Sequence, residues 1–558
     1  MFMNKSGVHN YKSLTKVLMK GESMETSSSK KKRILVGILG IFAVLFVIIP
    51  ACVLVAVMSY VMTSAVVAAG GNEQGLAMIL MFIASFSVIF GISVILNVFY
   101  FSNDMKFLLA LPLEPASVIA SKFTVAYINE SIMEFLIIVS AMVGYMIATQ
   151  FSVAGVVITL FAMITIPVLP LVYCGIISIV AMTFTKFIKN KDSVRKFTGI
   201  ATILFVLIIL AGADLVGGVD VENYATSFVQ GSNGLYNTLS VVFVHVKWIC
   251  EGMNGDWLAL IYYLIINIIF IALFITIAQK FYYKGVVNLS ASGQTGVKSD
   301  NKFIRKKTVK KSVVWTYISK EFKIIIRTPA FFMNCILINF IWPVLVVVVY
   351  KMQSNDSIFN RLIMNYLFGN EKLHVYVPVV VAVVSLLVTS ANSIASSAVT
   401  REGSSFEFMK YIPLSLRTQL NIKAAVSIIV SMAGMIVYII AVSVYIGVSL
   451  PDCLMYILIA FLGVIFVTYL GITLDSVNPK LLWEDEINAL RGNATVFFVM
   501  AYSMILGAIL FGMAFVLLEF TLLPVWGINC IIMIFMAIVD IVVYVNCVAN
   551  GSSNLKEL

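Results

Sequence analysis

Charge is what this sequence has least of. Of 558 residues only 12% are charged, against 61% hydrophobic, whereas a soluble domain carries about 25% charged residues. A chain this poor in solvating groups cannot cover itself in water, and no polar stretch is long enough to form a separate soluble domain. Histidine is scarce too. His9, His245 and His374 stand far apart, which excludes a histidine-based metal or catalytic constellation. The seven cysteines show no C-x-x-C spacing and fall mostly in apolar stretches, so they read as small packing residues. No G-x-x-x-x-G-K-[ST] occurs, so nothing in the sequence can cradle ATP phosphates. By its own residues the chain is not an enzyme and holds no cofactor.

What is there is apolar length. Runs at about 34–62, 75–101, 123–148, 153–185, 197–215, 257–282, 330–350, 374–400, 424–449, 453–474, 494–518 and 524–548 each approach or exceed the roughly 20 residues that span a bilayer. The expected fold class is therefore all-α, a polytopic membrane protein of about twelve transmembrane helices. The links TQFS (149–152) and SLPD (449–452) carry turn-forming residues and almost no charge, and predict tight hairpin tips. The formal charge of +11 does not point to nucleic acid, because its placement is one-sided. With the N-terminus inside, inner segments hold 34 of the 38 Lys and Arg. Basic loops stay cytoplasmic, so an even number of spans with both termini inside is expected. SSSKKKR precedes an apolar run of nearly thirty residues with no small-residue cleavage site, so a cleavable signal is not expected.

The chain also repeats itself. FLLALPLEPASVIASKF (107–123) and FMKYIPLSLRTQLNIKA (408–424) share Phe107/Phe408, Pro112/Pro413, Leu113/Leu414 and Lys122/Lys423, all offset by 301. Both copies fall between a second and a third span. Upstream, KSLTKVLMK (12–20) and TYISKEFKI (316–324) are basic and amphipathic, of the kind that lie in the membrane interface. The organisation expected is a cytoplasmic N-terminus with an interfacial helix (1–33), a six-helix half (34–283), a linker with a second interfacial helix (284–329), a second six-helix half in parallel topology (330–548) and a cytoplasmic C-terminus (549–558).

Three segments carry a resemblance to the permease subunits of ABC-2 type exporters, the fused bacterial form. They are TREGSSFEFMKYIPLSLRTQLNIKA (400–424), the weaker SNDMKFLLALPLEPASVIASKF (102–123) and DSVNPKLLWEDEINALRGN (475–493). The resemblance implies a bacterial cytoplasmic membrane and export of an amphipathic or hydrophobic cargo such as a peptide, lipid or drug. It further implies two copies of a separate ATPase that bind ATP and Mg, docked on short coupling helices between spans 2 and 3 and spans 8 and 9. The residues fit that role independently. Phe107, Leu108 and Leu111, and again Phe408, Met409 and Ile412, make an i, i+1, i+4 apolar patch ended by Pro112 or Pro413. Lys106, Glu402 and Glu407 flank them. Packing on the protein's own helix ends or on lipid headgroups would also bury such patches. LSASGQ (289–294) looks like the ABC signature LSGGQ but sits in a short linker and is read as coincidence.

Carboxylates inside spans are functional candidates by default, because burying them in lipid costs about 2.5 kcal/mol or more. Glu130 and Glu134 stand i, i+4 on the third span, and Asp540 lies in the twelfth. They could line a cavity for cationic or amphipathic cargo. Alternatively, the glutamates pair with a basic group such as Lys122 or reach the interface. Asp214 marks a span end, and Pro167 with Pro170 should kink the fourth span. The outer loop 216–256 is apolar at its centre; the resemblance implies re-entrant outer helices there, which would form a lid over the exit path. A rival class is a 6+6 secondary transporter driven by an ion gradient, which the same carboxylates could serve.

The charge asymmetry is directly testable. A cysteine at Ser232 should react with an impermeant thiol reagent in intact cells and one at Lys307 should not; labelling at Lys307 would overturn the orientation.

Overall fold

The computed structural model describes residues 5–21, 30–102, 108, 111, 113–184, 204–205, 224–292, 312–340, 343, 374–483, 486–491, 493–521 and 523–557. All regular structure among them is helical. Among the described residues eight helices are long and apolar enough to cross a membrane: Ile41–Ala68, Gln74–Tyr100, Val153–Thr183, Trp257–Val286, Leu416–Val444, Leu450–Val477, Ala494–Phe520 and Val525–Glu557. A ninth span, the third in sequence, joins Pro115–Ile132 to Glu134–Thr149 across a 50° bend. A shorter apolar helix, Tyr376–Ala391, stands at the eighth. The expected fifth span lies outside the described residues apart from Leu204 and Phe205, and the seventh is described only as far as Phe340 and again at Pro343. Helices suit this sequence because a helix satisfies its backbone internally, which lipid requires.

Both hairpin tips form as turns. Ser152 and Ser449 cap the helices that follow, accepting from Gly155 N and Asp452 N. The fourth span breaks between Thr165 and Val168, where Pro167 has no N–H to offer. The eighth span differs from its expected extent of 374–400. Its helix stops at Ala391 and continues as turns into a 3-10 segment, Thr400–Ser405. The reason is chemical. Asn392 accepts the backbone N–H of Ile394, and its amide donates to Asn339 and Ser431; such side chains compete with helical bonding. Ile394, Ala398 and Val399 remain fully buried, so hydropathy stays high where the helix has ended.

The third and ninth spans start earlier than expected, at Pro115 and Leu416. Lys122, Gln419 and Lys423 interrupt the apolar pattern there but lie buried inside the helices.

The chain divides into two compact units, Met1–Met24 with Ile48–Val297, and Glu25–Val47 with Lys298–Leu558. In the first, the interfacial helix Lys5–Gly21 packs on the third span, where Tyr11 and Thr124 hydroxyls meet at 3.0 Å and Ser121 donates to Tyr11 O. In the second, the interfacial helix Val313–Arg327 packs on the ninth span in the same way. The core of the second unit joins Val379, Leu386, Ile459, Val467, Leu510 and Ile532, from the eighth, tenth, eleventh and twelfth spans.

Close approach in the first unit depends on Gly144. A Cβ there would stand 2.2 Å from Ala56 O, and Ser59 seals the same crossing by donating to Ala141 O at 2.6 Å. Gly144→Ala should therefore cost about 1–3 kcal/mol, as overpacking does, and lower the thermal midpoint in detergent. Gly512→Ala, with open space around its Cβ, should leave the midpoint unchanged or raise it.

Candidate functional site

The second repeat segment sits on a buried ionic cluster. Lys423, in the ninth span, donates to Glu402 Oε1 at 2.6 Å and to Glu321 Oε1 at 2.8 Å. Lys320, on the second interfacial helix, reaches both oxygens of Glu402 at 2.7 Å. Lys423, Glu321 and Glu402 are almost wholly buried, and only Lys320 meets solvent. Two ammoniums balance two carboxylates, which is the condition for burying charge at tolerable cost. Burial pushes the Glu402 carboxyl up, but Lys423 and then Lys320 outweigh it, and the carboxyl is held at about 2. Both ammoniums also lie over the Tyr317 ring, at 5.8 and 4.9 Å.

A second network anchors the turn that precedes the segment. Asp475, at the end of the tenth span, accepts from Val399 N at 2.6 Å, Thr400 N at 3.0 Å and Thr400 Oγ1 at 2.5 Å. Lys480 N donates to Thr400 Oγ1, Trp483 Nε1 to Thr400 O, and Asn493 Nδ2 to Ser396 O. Gly403 has φ +54, and a Cβ there would stand 2.7 Å from the Trp483 ring. Only glycine combines that conformation with so close a neighbour. Arg401 Nη1 caps the same turn through Ile394 O and Ser397 Oγ. The segments 400–424 and 475–493, separate in sequence, thus build one platform.

The platform carries a four-residue helix, Phe408–Tyr411. Gln419 pins both sides of it, donating to Met409 O at 2.9 Å and Leu414 O at 3.0 Å. Ile412 is extended before Pro413, as a pre-proline residue prefers. Met409 is buried with Val399, Phe406, Leu420 and Leu555, the last from the C-terminal helix Ser552–Glu557. What reaches solvent is Phe408, 70% exposed, and Tyr411, 81% exposed. Glu407, Lys410 and Pro413 are exposed beside them and Ile412 is half-buried.

The expected residues are therefore sorted by the fold. Phe408, Glu407 and Pro413 are presented outward, whereas Met409 belongs to the core and Glu402 to the ionic cluster. Tyr411, three residues from Phe408 on the same face, was not singled out in the sequence, although that spacing could have found it. Lys423 and Asp475 stood in conspicuous segments without an assigned role. In the first copy Lys106, Phe107 and Pro112 lie outside the described residues; Leu108 is buried and Leu111 exposed. Lys122 matches Lys423 in position and in direction, reaching back to Val98 O and Ser102 Oγ, both at 2.7 Å.

The intramembrane carboxylates lie apart from this platform. Glu130 is buried and Glu134 half-buried, with the 50° bend of the third span between them. Asp540 is buried, and neither carboxylate oxygen has a hydrogen-bond partner among the described residues. No group of His, Cys, Asp and Glu among the described residues could hold a metal ion. Among the described residues of the segment 216–256 are three short helices, Tyr224–Val229, Gly234–Val242 and Val244–Met253.

A family model for a membrane protein of 12 TMs matches residues 43–542. No curated protein matches the sequence.

Breaking the ionic cluster should be costly. Lys423→Met or Glu402→Gln should each destabilise by less than the about 3–5 kcal/mol that a fully unpaired buried charge costs, since each leaves its nearly buried partners with one counter-charge instead of two, and together should cost less than their sum. Glu402 titrates at about 2 when folded against an ordinary 4.5, so its contribution is complete above about 4.5 and fades as pH falls toward 2. Thermal unfolding of the purified chain across pH measures both; unchanged midpoints in the single variants would count against the cluster.

Proposed function

The chain belongs to that family of twelve-span membrane proteins, and from this premise we propose that it is the permease subunit of an ABC-2 type exporter. Its place would be the bacterial cytoplasmic membrane, with both termini in the cytoplasm. Two copies of a separate ATPase would bind ATP and Mg, dock on the segments after the second and eighth spans, and drive an amphipathic or hydrophobic cargo outward. The observation that carries this reading is the Phe408–Tyr411 helix. Two large aromatic side chains face solvent from a short helix whose backbone is pinned by Gln419 and whose approach is locked by Asp475 and Trp483. Ordering exposed aromatics on a rigid base suits a docking surface, because the loss of freedom on binding is prepaid. Glu402 and Met409 then act as struts under the contact, while Phe408, Tyr411, Glu407 and Lys410 touch the partner.

A second reading has one specific observation in its favour. Asp540 is a buried carboxylate without a hydrogen-bond partner among the described residues, which suits a proton-coupled secondary transporter with no ATPase.

Anchors of this kind contribute about 2 kcal/mol or more, a factor of roughly 30 in affinity. Phe408→Ala and Tyr411→Ala should each reduce co-purification of the ATPase by that order, and Phe107→Ala should act similarly through the first copy, with membrane levels unchanged. Transport that persists without any ATPase and is abolished by Asp540→Asn would establish the second reading instead.

A further inference from the structure

His245 is fully buried, and neither of its ring nitrogens makes a hydrogen bond among the described residues. A neutral imidazole ordinarily donates from one nitrogen and accepts at the other. The ring stands in the first turn of the helix Val244–Met253, just before the sixth span. It stacks on Tyr263 of that span, with centroids 6.3 Å and planes 25° apart, and meets the Phe243 ring edge-on at 6.2 Å. Tyr263 is in turn tied through its hydroxyl to Thr165, where the fourth span breaks. The polar group that faces the imidazole is the Ile166 backbone, inside the break. The Ile166 carbonyl has no helical donor of its own, because the residue four positions on is Pro170, which lacks an N–H. His245 thus seats its helix in the gap that the two prolines open.

No charged side chain answers the ring. The helix packs on the second and sixth spans and on the helices Val153–Thr165 and Gly234–Val242. The second span and Val153–Thr165 contain no titratable residue. Gly234–Val242 brings Tyr236 and the sixth span brings Tyr262 and Tyr263, phenols that are neutral near neutral pH. On its own helix Lys247 and Glu251 pair with each other at 3.8 Å, and Cys250 is buried. Glu73 and Tyr145 gather at the far end, on Asn254, next to Asp256. Burial therefore holds the His245 pKa at about 3 against the ordinary 6.5, and the Ile166 backbone offsets only part of that.

We propose that His245 is a pH-operated latch, which keeps the helix Val244–Met253 seated in the break of the fourth span while its ring is neutral and releases the helix when the ring is protonated. The ring reaches water only when the helix lifts, and a proton taken up there opposes reseating. Above about pH 6.5 the seated form carries no penalty. Below it the open form gains about tenfold per pH unit until about pH 3, so at pH 5.0 it is about 30 times more populated, relative to the seated form, than at pH 7.5. Tyr173 holds Val242 O at 3.2 Å and Glu73 holds the Asn254 amide at 2.8 Å, one at each end of the helix. Release is therefore a local opening between two tethers. The latch is independent of what powers the protein.

Hydrogen–deuterium exchange of the full chain in nanodiscs, at pH 5.0 and 7.5 and corrected for the intrinsic effect of pH on amide exchange, reads the opening directly. Amides of Val244–Met253 should lose protection by about 30-fold at pH 5.0, while those of Trp257–Ser292 keep theirs. His245→Phe retains a ring against Tyr263 but cannot be protonated, and should reduce the change to about threefold or less, the remainder coming from Glu73, Glu251 and Asp256. His245→Gln serves if the phenylalanine variant does not fold. Equal pH dependence with and without His245, or a loss of protection that runs on through Trp257–Ser292, would overturn the proposal.

Discussion

A buried ammonium must be answered by carboxylates, and Lys423 decides much of the second unit through that requirement. Isolated in a low-dielectric interior it would lose its charge or unfold its surroundings. Glu321 and Glu402 answer it from two different elements, the interfacial helix and the turn after the eighth span. One side chain on the ninth span therefore fixes the positions of both. The short helix that follows the turn inherits this placement, which is why Phe408 and Tyr411 can stand exposed without being loose. Asp475 does comparable work on the opposite side of the turn, accepting backbone N–H groups that the broken helix leaves without partners.

The first unit carries a buried lysine at the same place. Lys122 occupies the position of Lys423 but is answered at Val98 O and Ser102 Oγ. A lysine reaching the segment that follows the preceding span is thus common to both halves, through Ser102 in the first and Glu402 in the second. Position 101, equivalent to Glu402, is Phe. The halves share this lysine and its placement, which fits a repeat of one architecture.

The all-helical, membrane-spanning character was legible in the sequence because hydropathy reports directly on what lipid demands. The hairpin tips were legible for a similarly local reason, turn-forming residues with almost no charge between two apolar runs. The end of the eighth span was not, since Ile394, Ala398 and Val399 are as buried in turns as they would be in a helix, and hydropathy measures burial rather than backbone form. The role of Lys423 was invisible because its partners lie 21 and 102 residues away. The exposed face of the short helix was half legible. Phe408 was expected outside and is, but Met409 turned inward because a four-residue helix on a platform has one buried side, and Tyr411 took the place expected for Met409 and Ile412.

On the proposed function, buried charge holds an exposed aromatic pair ready for a partner. A photo-crosslinking residue at position 411, introduced in living cells, tests it most directly. With Lys423 intact, the crosslinked partner should be a separate polypeptide carrying nucleotide-binding motifs, and Lys423→Met should abolish that product when its yield is measured per chain present in the membrane. A crosslink only to lipid or to the chain itself, or a yield indifferent to Lys423→Met, would contradict the account.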